Sequence, residues 1–144
     1  MSDCTHPELT GDGSVKALAT EMGWHLSLTY DGTDYRGWQV QPNQRTVQRE
    51  LQDRLRRIFR DDTLRAAGCS RTDAGVHALD QQVSFSAVTP AEIYPARLRR
   101  ILNRWLPKDI ALTGVWERPL GFSARYGNYG KAYTYVIATR RVSP

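Results

Sequence analysis

The chain has 144 residues, 40% of them hydrophobic, and a formal net charge of +5. That length gives one domain with a single core, and the apolar content is enough to fold it. A pI near 9.5 admits a polyanionic partner such as RNA. No apolar run approaches the length of a membrane-spanning helix, and Met1 to Leu9 carry no signal-peptide core. Cys4 and Cys69 alone offer neither a zinc-ligand spacing nor a disulfide framework. A soluble, cytoplasmic chain is expected. Of the 20 basic residues 17 are arginine, whose planar fork suits phosphate; Arg-rich codon usage would leave the same bias.

Residues 1–22 are polar and mixed, and read as a loosely ordered tail ahead of a domain over 23–144. Trp24, Leu26, Leu28 and Tyr30 then alternate with polar residues, the period of a half-buried strand, which Asp31-Gly32 ends. Residues 31–45 form a loop rich in Gly, Gln, Asn and aromatics, in which Trp38 either caps the core edge or serves a binding rim. Thr46 to Arg60 reads as a helix with Thr46 as N-cap and Val47, Leu51, Leu55, Ile58 and Phe59 on one stripe. Arg49, Arg56 and Arg60 fall on its far side with Gln52, as a solvated face or a phosphate-tracking ridge. Asp61-Asp62 at its end runs against the helix dipole.

Leu64 to Gly68 reads as a short strand, and Gln82 to Ala87 as another. Thr89 and Glu92 have capping-box spacing, but Pro95 disfavours helix at Tyr94, so the second helix is expected over 95–105. Leu98, Ile101, Leu102 and Trp105 form its stripe, arginines decorate the rest, and Pro107 stops it. Ile110 to Trp116 is a fourth strand in which Gly114 marks a bulge, and Lys131 to Thr139 a fifth. The order implies an α+β, ferredoxin-like or RRM-like antiparallel sheet with two helices packed on one face. The other face would be free for RNA.

Between the second and third strands lies Cys69-Ser70-Arg71-Thr72-Asp73-Ala74-Gly75-Val76-His77-Ala78. Loops held by a rigid sheet are where catalytic side chains gather, and Gly75 lets the backbone turn or a ligand approach. A polar turn closed by glycine would use the same residue types. Arg71 to Ala78, however, resembles the active-site motif of the tRNA pseudouridine synthase A family. Tyr30-Asp31-Gly32 with Gly37-Trp38-Gln39, then Leu102-Asn103, Leu106-Pro107 and Asp109-Ile110, and Phe122-Ser123-Ala124-Arg125 resemble further family segments in order. Ser70 departs from the glycine that many relatives carry there.

The resemblance implies the N-terminal half of the pseudouridine synthase fold. It also implies isomerisation of uridine to pseudouridine in the tRNA anticodon stem-loop, at positions 38 to 40, with no metal or cofactor. Asp73 is then the nucleophile, ionised at neutral pH as an ordinary carboxylate. Tyr133 is the ring that stacks on the target base, and Arg71 contacts RNA beside it. By position alone Arg71 could equally pair with Asp73, two residues away, and Thr72, Arg36 and Arg125 are further candidates for RNA contact. His77 is assigned an anchoring hydrogen bond rather than proton transfer. The family acts as a homodimer on tRNA, and its second half supplies an arginine partner for the carboxylate. This chain resembles the first half only, so weak activity or none is expected of it alone. The competing reading is a noncatalytic RNA-binding module, because Lys131 to Val136 partly mimics the aromatic strand of RRM domains. Ala132 and Ala138 depart from that pattern.

Overall fold

Alternation along β1 (Thr20–Tyr30) sets the layering of the computed structural model, which describes residues 19–139. Trp24, Leu26, Leu28 and Tyr30 are buried on one face, while His25, Ser27 and Thr29 point to the other. The chain continues through α1 (Val47–Phe59), β2 (Ala67–Gly68), β3 (Ala78–Thr89), α2 (Pro95–Trp105) and β4 (Ile110–Arg118). The sheet has the order β2-β3-β1-β4 with every pair antiparallel, the ferredoxin-like arrangement. The tail expected over 1–22 lies outside the described residues up to 18, and β1 already begins at Thr20.

Both helices pack on the face that carries Trp24 and Leu26. Val47, Leu51 and Leu55 of α1 and Leu98 and Leu102 of α2 are fully buried in one core with them. Trp24 is anchored at the far end of the sheet, its indole N–H donating to Thr89 Oγ1 at 3.0 Å and its ring stacking on Phe85. Thr89 thus serves β3 rather than a capping box. α2 starts at Pro95, where the missing N–H costs nothing. Thr46 caps α1 by accepting from Arg49 N. Arg60, in the left-handed region, ends α1, and the Asp61 carboxylate accepts from Thr63 N and Oγ1. Asp61 therefore opens the next turn, which accounts for an acid at this helix end.

Three expectations are corrected. Gln52 does not share the solvent side with the arginines: it is 8% exposed, and its Oε1 accepts from Ala66 N. Two members of the expected basic ridge are committed to the fold, Arg49 donating to Gln41 O and Arg56 to Leu64 O. The fifth strand over 131–139 is not formed. Those residues have no regular structure, and Tyr133, Tyr135, Val136 and Ile137 are 61–95% exposed. Alternation prepares a segment for a sheet, but a strand needs a neighbour for its ladder, and no described strand pairs with this one. The RRM-like reading loses its aromatic strand with it.

The second sheet face is only partly open. Residues 119–128 fold across the half remote from the β2–β3 loop. There Phe122 lies 5.0 Å from the His25 ring and Ala124 N donates to Ser84 Oγ. The bulge expected at Gly114 is present, since Ser27 pairs with Gly114 and Leu28 with Leu112.

Candidate active site

The loop from β2 to β3 presents Arg71, Thr72 and Asp73 at the end of the sheet where β1 stops, and two neighbouring segments hold it there. Trp38 N donates to Thr72 O at 2.9 Å, and Gly75 N donates to Tyr35 O at 3.1 Å. The Tyr30 and Thr72 hydroxyls lie 2.7 Å apart, and the Gln81 amide donates to Ser70 O. Val76 N closes a turn on Asp73 O. Burial pushes the Tyr30 phenol above its ordinary pKa, so it remains a neutral partner for Thr72.

Close approach of the two loops demands glycine at two positions. A Cβ on Gly32 would lie 1.9 Å from Val76 O, and one on Gly37, which has φ +84°, 2.6 Å from Thr72 O. The loop aromatics are structural here: Tyr35 and Trp38 are 2% and 1% exposed. Tyr35 donates its hydroxyl to Asp109, and Arg45 lies 4.2 Å above the Tyr35 ring and 3.4 Å from Asp109 Oδ2. Burial first, and then the Asp109 carboxylate, raises the Tyr35 pKa far above the usual value. Trp38 thus caps the core edge, while its backbone and that of Gly37 shape the cleft wall.

His77 anchors the loop. Gly32 N donates to His77 Nδ1 at 2.9 Å, and the same nitrogen lies 3.1 Å from Asp31 Oδ1. The Asp31 carboxyl is held below its ordinary pKa, chiefly by hydrogen bonds from the Thr33 hydroxyl and amide, with a smaller contribution from His77.

Asp73 lines a hollow of about 390 Å³, within the span of roughly 300–1,000 Å³ common for ligand pockets. Arg36 and Arg71 give this hollow two cations, Gln39, Gln41 and Gln44 give it amides, and Thr72 and Ala74 complete the wall. Two guanidiniums against one carboxylate leave it positive, which suits a substrate bearing phosphate. Among the described residues the Asp73 carboxylate has no ion pair or hydrogen bond, and Arg71 does not close on it. Neither side chain is therefore engaged in holding the fold.

Asp73, Arg71, Thr72 and Arg36 are thus brought together. Tyr133 and Arg125 are not among the residues around this hollow: Tyr133 is 61% exposed, and the Arg125 guanidinium lies over Tyr126. The glutamines of the hollow were missed in the sequence, where spaced glutamines in a polar loop carry no signal of their own. Asn103 and Asp109 serve the fold. Asn103 bridges to both backbone groups of Leu112, and Asp109 O accepts from Asp31 N. Among the described residues no group of three or more His, Cys, Asp or Glu side chains is placed to hold a metal ion.

Residues 27–127 match the family model described as tRNA pseudouridine synthase. The chain is 41% identical over 119 residues to tRNA pseudouridine synthase A of Caldicellulosiruptor saccharolyticus, covering 83% of this chain and 48% of that one. It is 45% identical over 112 residues to the protein of that name in Aquifex aeolicus, covering 78% and 45%. For that of Geobacillus kaustophilus the identity is 40% over 112 residues, covering 78% and 43%. The chain spans less than half the length of these relatives. With the Asp73 loop inside the matched region, the chain belongs to the tRNA pseudouridine synthase A family.

Proposed function

We propose that this chain carries the nucleophile of a tRNA pseudouridine synthase that isomerises uridine in the anticodon stem-loop. The observation that carries the reading is the unpaired Asp73 carboxylate on the wall of a hollow rimmed by Arg36 and Arg71. The reaction breaks the bond from N1 of uracil to the ribose and joins C5 to the same sugar carbon. The C5 proton leaves and N1 gains one, so neither an oxidant nor a second substrate is consumed. Asp73 supplies the carboxylate that the step requires, by attack or as base. The target base must first leave its stem, at a cost of about a few kcal/mol. Phosphate contacts by Arg36 and Arg71 offset that cost, with Thr72 holding the loop and Arg125 reaching RNA beyond the cleft. Tyr133, exposed in this structure, stacks on the base, worth about 1–3 kcal/mol.

The same reading takes tRNA as the partner of a cytoplasmic, homodimeric enzyme. No described helix is long and apolar enough to cross a membrane. Tritium release from tRNA labelled at C5 of uridine tests the proposal. It is measured for residues 1–144 alone and for a fusion to the remaining half of the Aquifex aeolicus relative. The expected result is slow release or none from the chain alone and turnover by the fusion, lost in Asp73→Asn. A folded fusion that binds tRNA without Asp73-dependent release would refute it.

A further inference from the structure

We propose that the furrow between α1 and α2, on the helical side of the molecule, is a second RNA-contacting site that takes backbone phosphates. This inference rests on tRNA being the substrate, as proposed above, and concerns a surface separate from the Asp73 hollow. The furrow encloses about 370 Å³; Arg57 and Arg60 from α1 and Arg100 and Arg104 from α2 line it together with the apolar side chains of Ile58, Ile93, Ile101 and Trp105. All four side chains are exposed, and among the described residues none makes an ion pair or a side-chain hydrogen bond. Other arginines of these helices are committed: Arg49 and Arg56 to carbonyls, Arg54 to Glu50 and to Trp105 O.

Like charges turned toward one furrow repel one another, and an anion between them relieves that repulsion. Acidic residues lie near in sequence but do not serve. Asp61 is occupied by Thr63, and Asp53 and Glu92 stand in no ion pair with any of the four. Compensation of the α1 dipole would account for Arg57 and Arg60 at its C-terminal end, but not for Arg100 in the middle of α2. Trp105 forms one wall, 43% exposed, with the Arg57 guanidinium 5.5 Å from its ring centroid. An aromatic face in that position holds the guanidinium along the wall while leaving its N–H groups outward. Forked donors on both sides of a shallow, positive furrow match a phosphodiester backbone in charge and in hydrogen bonding.

The position is also informative. α1 begins at the cleft, where Val47 N donates to Gly37 O. Ten to thirteen residues of helix carry Arg57 and Arg60 roughly 15–20 Å from there. A phosphate in the furrow therefore belongs to different nucleotides from the one extruded at Asp73. Its contribution is to grip the tRNA as a whole, not to handle the reacting base.

The experiment is tRNA binding by the 144-residue chain, by fluorescence anisotropy over a KCl series. The pairs Arg57→Gln/Arg60→Gln and Arg100→Gln/Arg104→Gln are compared with Arg65→Gln/Lys108→Gln, which removes the same charge elsewhere. Each furrow pair is expected to lower the slope of log affinity against log salt by about 1–2 and to weaken binding about tenfold. Arg100→Lys/Arg104→Lys should restore the salt slope but only part of the affinity, since lysine keeps the charge and loses the fork, and circular dichroism melts should coincide for all variants. Two results would overturn the inference while leaving the proposed function standing. One is tRNA binding unchanged by the furrow pairs but weakened by Arg71→Gln, as when the furrow serves an acidic protein surface. The other is an equal loss in the control pair. A wild-type chain without measurable affinity for tRNA would also overturn the inference, whereas the proposed function stands or falls with Asp73-dependent release by the fusion.

Discussion

The Tyr30 hydroxyl meets the Thr72 hydroxyl at 2.7 Å, tying the residue before Asp73 to the last residue of β1. Tyr30 is 4% exposed, so the rigid strand dictates where Thr72 and its neighbour sit. Tyr30→Phe keeps the ring packing and deletes the bond. It should cost about 1 kcal/mol of stability. In the fusion enzyme it should lower kcat severalfold with little change in KM, because the bond positions Asp73 without touching RNA. A thermal melt and a tritium-release saturation curve check both parts. An unchanged kcat would show that the loop is placed by its backbone bonds alone.

The glycines of the two loops separate steric closeness from backbone conformation. Gly75 has φ +78°, but a Cβ there would meet nothing within 4 Å, so Gly75→Ala should cost only about 1–2 kcal/mol of left-handed strain. Gly37→Ala carries that strain and also drives a methyl into Thr72 O, a backbone atom that cannot turn aside. The expected outcome is a larger fall in melting temperature for Gly37→Ala, accompanied by loss of Asp73-dependent turnover. Equal melting temperatures would mean that the loops separate freely.

Asp73→Asn distinguishes a reactive carboxylate from a structural one. A carboxylate without partners contributes little to the fold, so the melting curve should stay within the equivalent of about 0.5 kcal/mol. Affinity for tRNA should be retained or slightly improved, since a negative charge leaves a phosphate-facing hollow. Turnover should drop by roughly 10⁴-fold. Destabilisation well beyond that margin would mean that Asp73 holds the loop together.

How far the sequence disclosed these features depended on whether a signal was local. The stripe Val47, Leu51, Leu55 and the start of α2 at Pro95 follow from periodicity and from proline's missing N–H, and both elements fall where expected. The Asp73 loop was legible because eight consecutive residues carry mixed chemistry, and Asp73, Arg71 and Arg36 do share one hollow. What depended on a distant partner was not legible. Residues 131–139 alternate like a strand, but strand formation is decided by a neighbour that the segment itself does not specify. Gln52 has the composition of a solvated face, yet is buried because Ala66 N arrives from fourteen residues away. The glutamines around Asp73 converge through a loop fold defined by bonds to residues distant in sequence, such as those of Gly37 and Trp38 and that from Val40 N to Gln48.

Acid should weaken the fold through His25. Its ring lies 4.8 Å from Trp116 and 5.0 Å from Phe122. Burial lowers its pKa below 6.5, the Gln82 hydrogen bond and Asp80 oppose that shift, and Arg118 adds to it. The unfolded chain therefore binds a proton at a higher pH than the folded one. Stability from this group is complete above about pH 6.5 and falls as the pH drops through the depressed folded value. Melting temperatures from pH 7.5 to 5 should fall more steeply for the wild type than for His25→Gln. Parallel curves would remove His25 from the account.

Gln48 tests whether buried amides, rather than apolar area alone, fix the cleft wall to the helix layer. It sits at 9% exposure on α1, where its Oε1 accepts from Val40 N and its Nε2 donates to Ala66 O, both at 2.8 Å. One side chain thus joins the loop that carries Gln39 to the segment leading into β2, and so to Asp73. Gln48→Leu fits the space but leaves a buried N–H and a buried carbonyl without partners. Each such group costs about 1–3 kcal/mol, so the substitution should destabilise by about 2–4 kcal/mol despite added hydrophobicity. Gln48→Glu keeps the bond from Val40 N and loses the one to Ala66 O, so it should destabilise at neutral pH and recover part of the loss as acid restores a donor. Denaturant unfolding at pH 7 and pH 5 gives both values. A leucine variant as stable as the wild type would show that water reaches these groups and that the two segments are joined by packing alone.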